Sequence, residues 1–490
     1  MSNLEQVLWS RISTRKHRRK DVNLHLVILL GYAAVLVSIG LWIGRRVRAS
    51  TDFFVAGRQL SPFLLFSTML AANIGTGSTV GASGLAYRNG LSVWWWVGSA
   101  GLGSLALAFW IGPKIRQLSE RYDLRTVGDF LEHRYGPSVR LTVAVLFCIA
   151  TVAILAGQFV GMARVLGAVS GVPFWTGCVV GGLVVSIYFA AGGLKTTAWV
   201  NVVQLAMIIG GFAIALPFAL AAVGGWKEVV NSTQSIPGYW NFWSNQESGW
   251  FYLIMLGPAF IVSPGLLQKV YGARDDRTVR LGVSLQALAL LIFAWVPVLL
   301  GMIARTAYPN LINAEQALPT LLRETLPPTL GGLGLAALFS AEVSSADAIL
   351  FMLSTSLSND LYLRVVNPNA TDTQVLRVAR ATAVAGGGVG LLLALVFQSI
   401  ISVLSFFYTV ITVCLFIPVL AGLYLRRAEL PEAFGSIIGG LSALAVLQLS
   451  NNNQGIVGLT PAMIGLIAAF IGCTTVGAFR IFRKFPTRNA

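Results

Sequence analysis

The chain has 490 residues, 56% of them hydrophobic and only 11% charged, with a formal net charge of +16. A soluble domain carries about 25% charged residues and has no means of hiding so much apolar surface from water. This excludes a cytosolic enzyme, a secreted domain and a disordered chain. Nucleic-acid binding is excluded as well, because the basic residues lie between apolar segments, as they do where basic loops face the cytoplasm.

In chain order the apolar segments are 24–44, 61–87, 91–112, 141–163, 174–191, 198–223, 251–271, 281–304, 329–353, 378–400, 402–424, 434–449 and 459–479. A span of the hydrocarbon core takes about 20 residues, and without water each span has to be helical. Runs such as Leu26–Leu30 do not alternate apolar with polar residues, which argues against a membrane barrel. The expectation is an all-α polytopic membrane protein of about thirteen transmembrane helices. A basic tail, 1–23, precedes the first segment, shows no cleavable signal peptide and stays uncleaved in this reading. The four cysteines lie inside apolar segments without metal spacing and read as small buried residues.

Of the 35 lysines and arginines, 24 fall in the odd-numbered connections and the C-terminal tail, 5 in the even-numbered connections and 6 in the N-terminal tail. The basic set predicts a cytoplasmic C-terminus, with residues 480–490 as a cytoplasmic tail, and an external N-terminus. The loop 114–140, with dense mixed charge, predicts a short amphipathic helix on the cytoplasmic surface. The aromatic-rich loop 224–250 predicts an external interface belt or gate.

Segment 61–87 is interrupted: Asn73, Gly75, Thr76, Gly77, Ser78, Thr79 and Gly81 crowd its middle. Each glycine weakens a helix by roughly 1 kcal/mol relative to alanine, and unwound backbone is tolerated in a membrane only where it is buried in protein or lines a cavity. Segment 251–271 carries Gly257, Pro258, Pro264 and Gly265 and is interrupted too. These are the first helices of two consecutive blocks, 61–223 and 251–424. Each block has five helices, so the second is inserted upside down. Paired broken helices in a five-plus-five inverted repeat point to a secondary transporter. Close helix packing through small residues explains Gly81, Ala82 and Gly84, but not the polar run before them.

Segment 329–353 holds a second constellation. Ser344 and Ser345 offer hydroxyls and Ala341 a carbonyl one turn back, all oxygen ligands of the kind a hard cation takes. The competing reading is a serine bonded to its own preceding turn.

With these residues the chain resembles the sodium:solute symporters. The marks are DFFVAGRQL at 52–60, LRTVGDFLEHRYG at 124–136, YFAAGGLKTTAWVNVVQ at 188–204, GMIAR at 301–305 and AEVSSADAILFMLSTSLSNDLY at 341–362, and they span nearly the whole chain. The resemblance implies a leucine-transporter-like fold, with one extra helix (24–44) before the repeats and two (434–479) after them. It implies sodium as coupling ion, held by the carbonyls of Ala71, Ile74 and Ala341 and the hydroxyls of Ser344 and Ser345. It also implies a bacterial inner-membrane protein whose partners are the lipid bilayer and a small solute, with no obligate protein partner.

Two departures stand out. Asn201 occupies a position where the family often has aspartate, which argues against a second sodium there. Glu342 stands beside the site where relatives are apolar or small, and Asp347 lies one turn beyond Ser344. Intramembrane carboxylates are functional by default, so Asn201, Glu342 and Asp347 are read as an ion pathway or proton site.

For the solute, the polar candidates are Asn73, Gly75, Thr76, Ser78 and Thr79, with Gln158, Ser263 and Gln286 from later segments. Tryptophans 94–96 stand where sugar carriers of the family place polar groups, and no arginine enters the pocket, which reads as nearly uncharged. The amides of Gly75–Ser78, at the start of a half-helix, are expected to hold an anion. The favoured solute is an amino acid or small carboxylate. The alternatives are a proton-coupled symporter using Glu342 or Asp347, and a transport-inactive membrane solute sensor. The sensor usually carries a signalling domain for which 480–490 is too short. An enzyme is unsupported, since His17, His25 and His133 all lie away from the broken helices.

Overall fold

The computed structural model describes residues 23–44, 54–189, 193–245, 248–397, 399–451, 455–456 and 458–484. Residues 1–22 of the basic tail, the loop 45–53 with the first two residues of DFFVAGRQL, residues 190–192 of YFAAGGLKTTAWVNVVQ, and residues 485–490 lie outside the described residues.

Among the described residues every apolar segment is helical. In order the helices are α1 (Leu24–Gly44), α2 (Pro62–Asn73), α3 (Val80–Asn89), α4 (Trp94–Ala106), α5 (Gly112–Tyr122), α6 (Val127–Tyr135), α7 (Pro137–Ser170), α8 (Phe174–Phe189), α9 (Gly193–Ala222) and α10 (Trp226–Thr233). A two-stranded ribbon follows, β1 (Ser244–Asn245) with β2 (Ser248–Gly249). Then come α11 (Tyr252–Val262), α12 (Pro264–Tyr271), α13 (Asp276–Phe293), α14 (Trp295–Ala307), α15 (Ala317–Glu324), α16 (Pro328–Thr355), α17 (Asp372–Val396), α18 (Ile400–Tyr424), α19 (Leu430–Asn451) and α20 (Pro461–Lys484). Among the described residues ten helices are long and apolar enough to cross a membrane, and three shorter apolar ones accompany them at Leu24–Gly40, Pro62–Asn73 and Phe174–Val185.

Both breaks have a local cause. Ser61 caps α2 by accepting the Leu64 N–H, with Pro62 in the first turn. The helix then stops at Asn73, and the chain runs through an extended Gly75 and a short 3-10 turn, Thr76–Ser78, before α3 begins. In the other block Ser263 adopts ψ 121° directly before Pro264, the conformation that a following proline imposes, and this divides α11 from α12.

The loop 114–140 forms two helices rather than one. The first, α5, prolongs α4, and it ends where Asp123 turns left-handed at φ 49°. Thr126 then caps α6 reciprocally with Asp129. The aromatic loop forms α10 and the ribbon, with Phe242 and Trp243 packed on Trp94 and Trp95.

The core is organised around α16, which is buried along its length and packs on α1, α2, α7, α9 and α17. Both interrupted helices touch it, α2 directly and α11–α12 through α12. The last pair, α19 and α20, packs closely through Gly435, Gly439 and Gly472.

Candidate ion and solute site

A helix end leaves its last four carbonyls without intrahelical partners. At the buried end of α2 each finds one. Leu70 O accepts from Ile74 N–H at 3.0 Å. Ala71 O accepts from the Ser344 hydroxyl at 2.8 Å, Ala72 O from the Ser345 hydroxyl at 2.8 Å, and Asn73 O from the Ser78 hydroxyl at 3.0 Å. Ser344 also lies 3.0 Å from Ala341 O. A hydroxyl from α16 thus meets one carbonyl of its own helix and one from a helix 273 positions earlier in the chain. The competing reading of a serine bonded only to its own turn does not describe Ser344. Ile74 ends α2 in a non-helical conformation and is buried beside this point. The oxygens of Ala71, Ala341 and Ser344 therefore converge, with Ile74 adjacent and Ser345 one carbonyl further along. Gly75 allows the approach: a Cβ there would collide with the Ser345 side chain.

Next to these oxygens is a narrow cavity, lined by Asn73, Gly75, Ser78, Gln158 and Ser263 among the residues anticipated for the solute, and by Ser345 from those anticipated for the ion. Its other wall is apolar and aromatic, including Trp96, Phe260, Phe407 and Tyr408. Trp96 is anchored by its indole N–H on Gly77 O at 3.0 Å.

Three anticipated solute residues point elsewhere. Thr79 bonds Gly75 O at 2.8 Å and closes the 3-10 turn on itself. Thr76 turns its side chain toward Gly161 of α7. Gln286 is buried in α13 but does not line the cavity. Of tryptophans 94–96 only Trp96 lines it; the other two belong to the aromatic cluster under the 224–250 loop. The half-helix amides also differ from expectation. Gly75 N–H donates to the Ser78 hydroxyl, Thr76 N–H to Gln158 Oε1 and Ser78 N–H to Gly75 O, so the protein itself engages three of them.

A nearly uncharged pocket is not what the structure contains. Lys269, on α12, is 2% exposed and lines the cavity. By sequence it groups with the basic loop that follows segment 251–271. One clue was available: it lies inside the apolar segment, two residues before its end.

The three residues read as an ion pathway or proton site stand on α9 and α16, and Glu342 and Asn201 have different neighbours. Glu342 lies over Gly161 next to Thr76, fully buried, and neither carboxylate oxygen has a hydrogen-bond partner among the described residues. Asn201 and Lys269 meet at Thr68, where Asn201 Nδ2 donates to Thr68 Oγ1 at 2.9 Å and Lys269 Nζ donates to Thr68 O at 3.1 Å; Asp347 is fully buried on α16 one turn beyond Ser344.

The protein is similar to known transporters over most of its length. A family model described as the sodium:solute symporter family matches residues 53–440. The sodium/pantothenate symporter of Escherichia coli (strain K12) is 26% identical over 465 residues, covering 90% of this chain and 94% of that protein. The sodium/glucose cotransporter of Vibrio parahaemolyticus is 24% identical, covering 94% and 85%. Among solved structures, a Na+-coupled sialic acid symporter in a substrate-bound outward-open state superposes with a TM-score of 0.79 at 21% identity, covering 93% of this chain and 98% of that one. That likeness establishes a shared fold.

Proposed function

Because the chain belongs to the sodium:solute symporter family, and so is a multi-pass membrane protein that moves a small solute with sodium, we propose that Ala71, Ile74, Ala341, Ser344 and Ser345 hold the coupling ion and that the cavity beside them holds the solute. The observation that carries this reading is Ser344 Oγ placed between Ala71 O and Ala341 O. These are neutral oxygens on two separate helices, the donor type a hard cation takes. With sodium bound, the hydroxyls turn their lone pairs to the ion and the ion joins α2 to α16. When it leaves, that link is lost and the helices are free to part. Because Gly75 and Ser345 also line the cavity, parting opens ion and solute sites together, which is the coupling.

The solute in this reading is an amino acid or small carboxylate with an apolar portion. Asn73 lines the cavity, and its Nδ2, which has no hydrogen-bond partner among the described residues, is a donor for a solute oxygen. No Asp or Glu is among the lining residues described. Pantothenate and sialic acid, for which two relatives are named, both carry a carboxylate. The two repeats are residues 61–223 and 251–424, and the membrane is a bacterial inner membrane with the N-terminus outside.

Proton coupling is a second reading, favoured by Glu342, an intramembrane carboxyl that is fully buried and has neither oxygen hydrogen-bonded among the described residues. One experiment separates the two. The protein is reconstituted in liposomes and labelled carboxylates and amino acids are screened under a sodium gradient or a proton gradient alone. Uptake driven by sodium supports the first reading; uptake driven by protons without sodium supports the second.

A further inference from the structure

To open the cavity on the side where α18 begins, α18 has to part from α3 and the break before it. Their contact is close. Leu404, which lines the cavity, lies over Gly77, and Ile400 and Ile401 pack on Gly81; a Cβ at Gly77 or Gly81 would collide with them. A directed bond comes from a third place. The Ile400 N–H, in the first turn of α18, has no partner within its own helix, as at every helix start. It donates to Glu315 Oε1 at 2.8 Å. A carboxylate there also meets the positive end of the helix dipole. The other oxygen, Oε2, lies 3.6 Å from Arg164 Nε on α7. Glu315 is carried by the connection 308–316 between α14 and α15, and this connection is fixed to α3. The Tyr87 hydroxyl donates to Tyr308 O at 2.6 Å and accepts the Leu311 N–H at 3.0 Å. Asn313 Oδ1 accepts the Glu315 N–H at 2.9 Å, and Gly84 leaves room for Ala314 O, which a Cβ there would meet at 2.9 Å. The carboxylate therefore belongs to α3 and grips α18 and α7.

We propose that Glu315 is a positioning residue of the transport cycle, a latch that holds α18 and α7 against α3 while the outer side of the cavity is closed and lets go when that side opens. The proposal rests on the orientation and the alternating opening proposed above, and not on which oxygens hold the ion. Glu315 touches neither the ion oxygens nor the cavity; it acts through the helices that cover them. Its side chain is 13% exposed, near enough to the surface for water to take over both contacts when they break. Such a contact is weak, which suits a link that has to open once in every cycle.

The test reads access to the cavity and needs neither sodium nor solute. In full-length protein lacking the four native cysteines, Val97, an apolar lining residue, is replaced by Val97→Cys. The rate of its reaction with an impermeant methanethiosulfonate added outside cells is measured in choline buffer. Glu315→Ala should speed labelling about fivefold, the weight of one hydrogen bond. Melting of the purified variant should stay close to the parent's, because the open state is itself folded. Glu315→Gln keeps an acceptor for the Ile400 N–H and should give a smaller rise. Ile400→Pro removes the donor instead: proline suits the first helical turn, and Ser399 before it is already extended at φ −104°, ψ 118°. It should match Glu315→Ala and exceed Ile400→Ala, which keeps the N–H. Adding Glu315→Ala to Ile400→Pro should then change little. Parent-like labelling in Glu315→Ala or in Ile400→Pro overturns the latch. Loss of folding in both overturns it too, since Glu315 would then be a strut of the fold; if one alone fails to fold, the other decides. Acceleration that appears only when the reagent reaches the opposite face inverts the orientation and leaves the latch standing.

Discussion

Gln158 of α7 accepts the amide N–H of Thr76 at 3.1 Å, directly where the second segment of the chain unwinds. One side chain on an intact helix therefore satisfies a backbone donor that the break exposes. An unsatisfied buried donor costs about 1–3 kcal/mol. Gln158→Leu should lower the melting temperature of the purified protein and weaken sodium binding together. An unchanged melting temperature would mean that water or another group serves the Thr76 amide.

Ser344→Ala and Ser345→Ala should each raise the sodium needed for half-maximal uptake. Loss of a buried hydrogen-bonding partner, about 1–3 kcal/mol, corresponds to roughly fivefold to over a hundredfold at about 1.4 kcal/mol per decade. Both hydroxyls reach α2 carbonyls, on Ala71 and Ala72. If both variants keep the parent's sodium dependence, the ion sits elsewhere and the reading through Glu342 gains.

Asn201→Asp should strengthen cation dependence. The substitution places a carboxylate beside Thr68, whose carbonyl also accepts from Lys269. The readout is sodium affinity and the number of ions bound; if neither changes, Asn201 does not face the ion pathway.

Arg140→Met should be the most damaging single change at the far end of α16. Arg140 is 2% exposed and pairs with Asp129 at 2.8 Å, with Asp360 at 2.6 Å and with Glu132. It thereby ties α6 to the continuation of α16 over Ser356–Val366. Removing one partner of a buried ion network costs about 3–5 kcal/mol because the remaining charges stay buried. Melting of the purified protein should fall sharply and recover in part when Asp360→Asn is added. Equal stability of parent and variant would show that the network is hydrated.

Orientation is testable with thiols. In a background lacking the four native cysteines, a cysteine at Lys227 should react with an impermeant reagent added outside cells, and one at Arg426 should react only after permeabilisation. The reverse pattern would invert the topology drawn from the basic residues.

Composition and apolar run length by themselves determined the membrane class, the helical segments and the two interruptions. These are one-dimensional properties: a span needs a length, and Asn73–Thr79 or Ser263-Pro264 breaks a helix wherever the chain runs. Resemblance to a family added which oxygens to look for. What only the tertiary structure decided is where side chains face once the helices pack. By sequence Lys269 belongs with the loop charges because it lies near the end of its segment, yet α12 turns it into the cavity and onto the Thr68 carbonyl. Trp94 and Trp95 read as pocket residues but pack beneath Phe242 and Trp243, because a loop more than a hundred positions later covers them. Gln286 is polar and buried, but off the cavity. In a membrane both faces of a buried helix are apolar, so periodicity does not mark which face meets the site; only the neighbouring helices do.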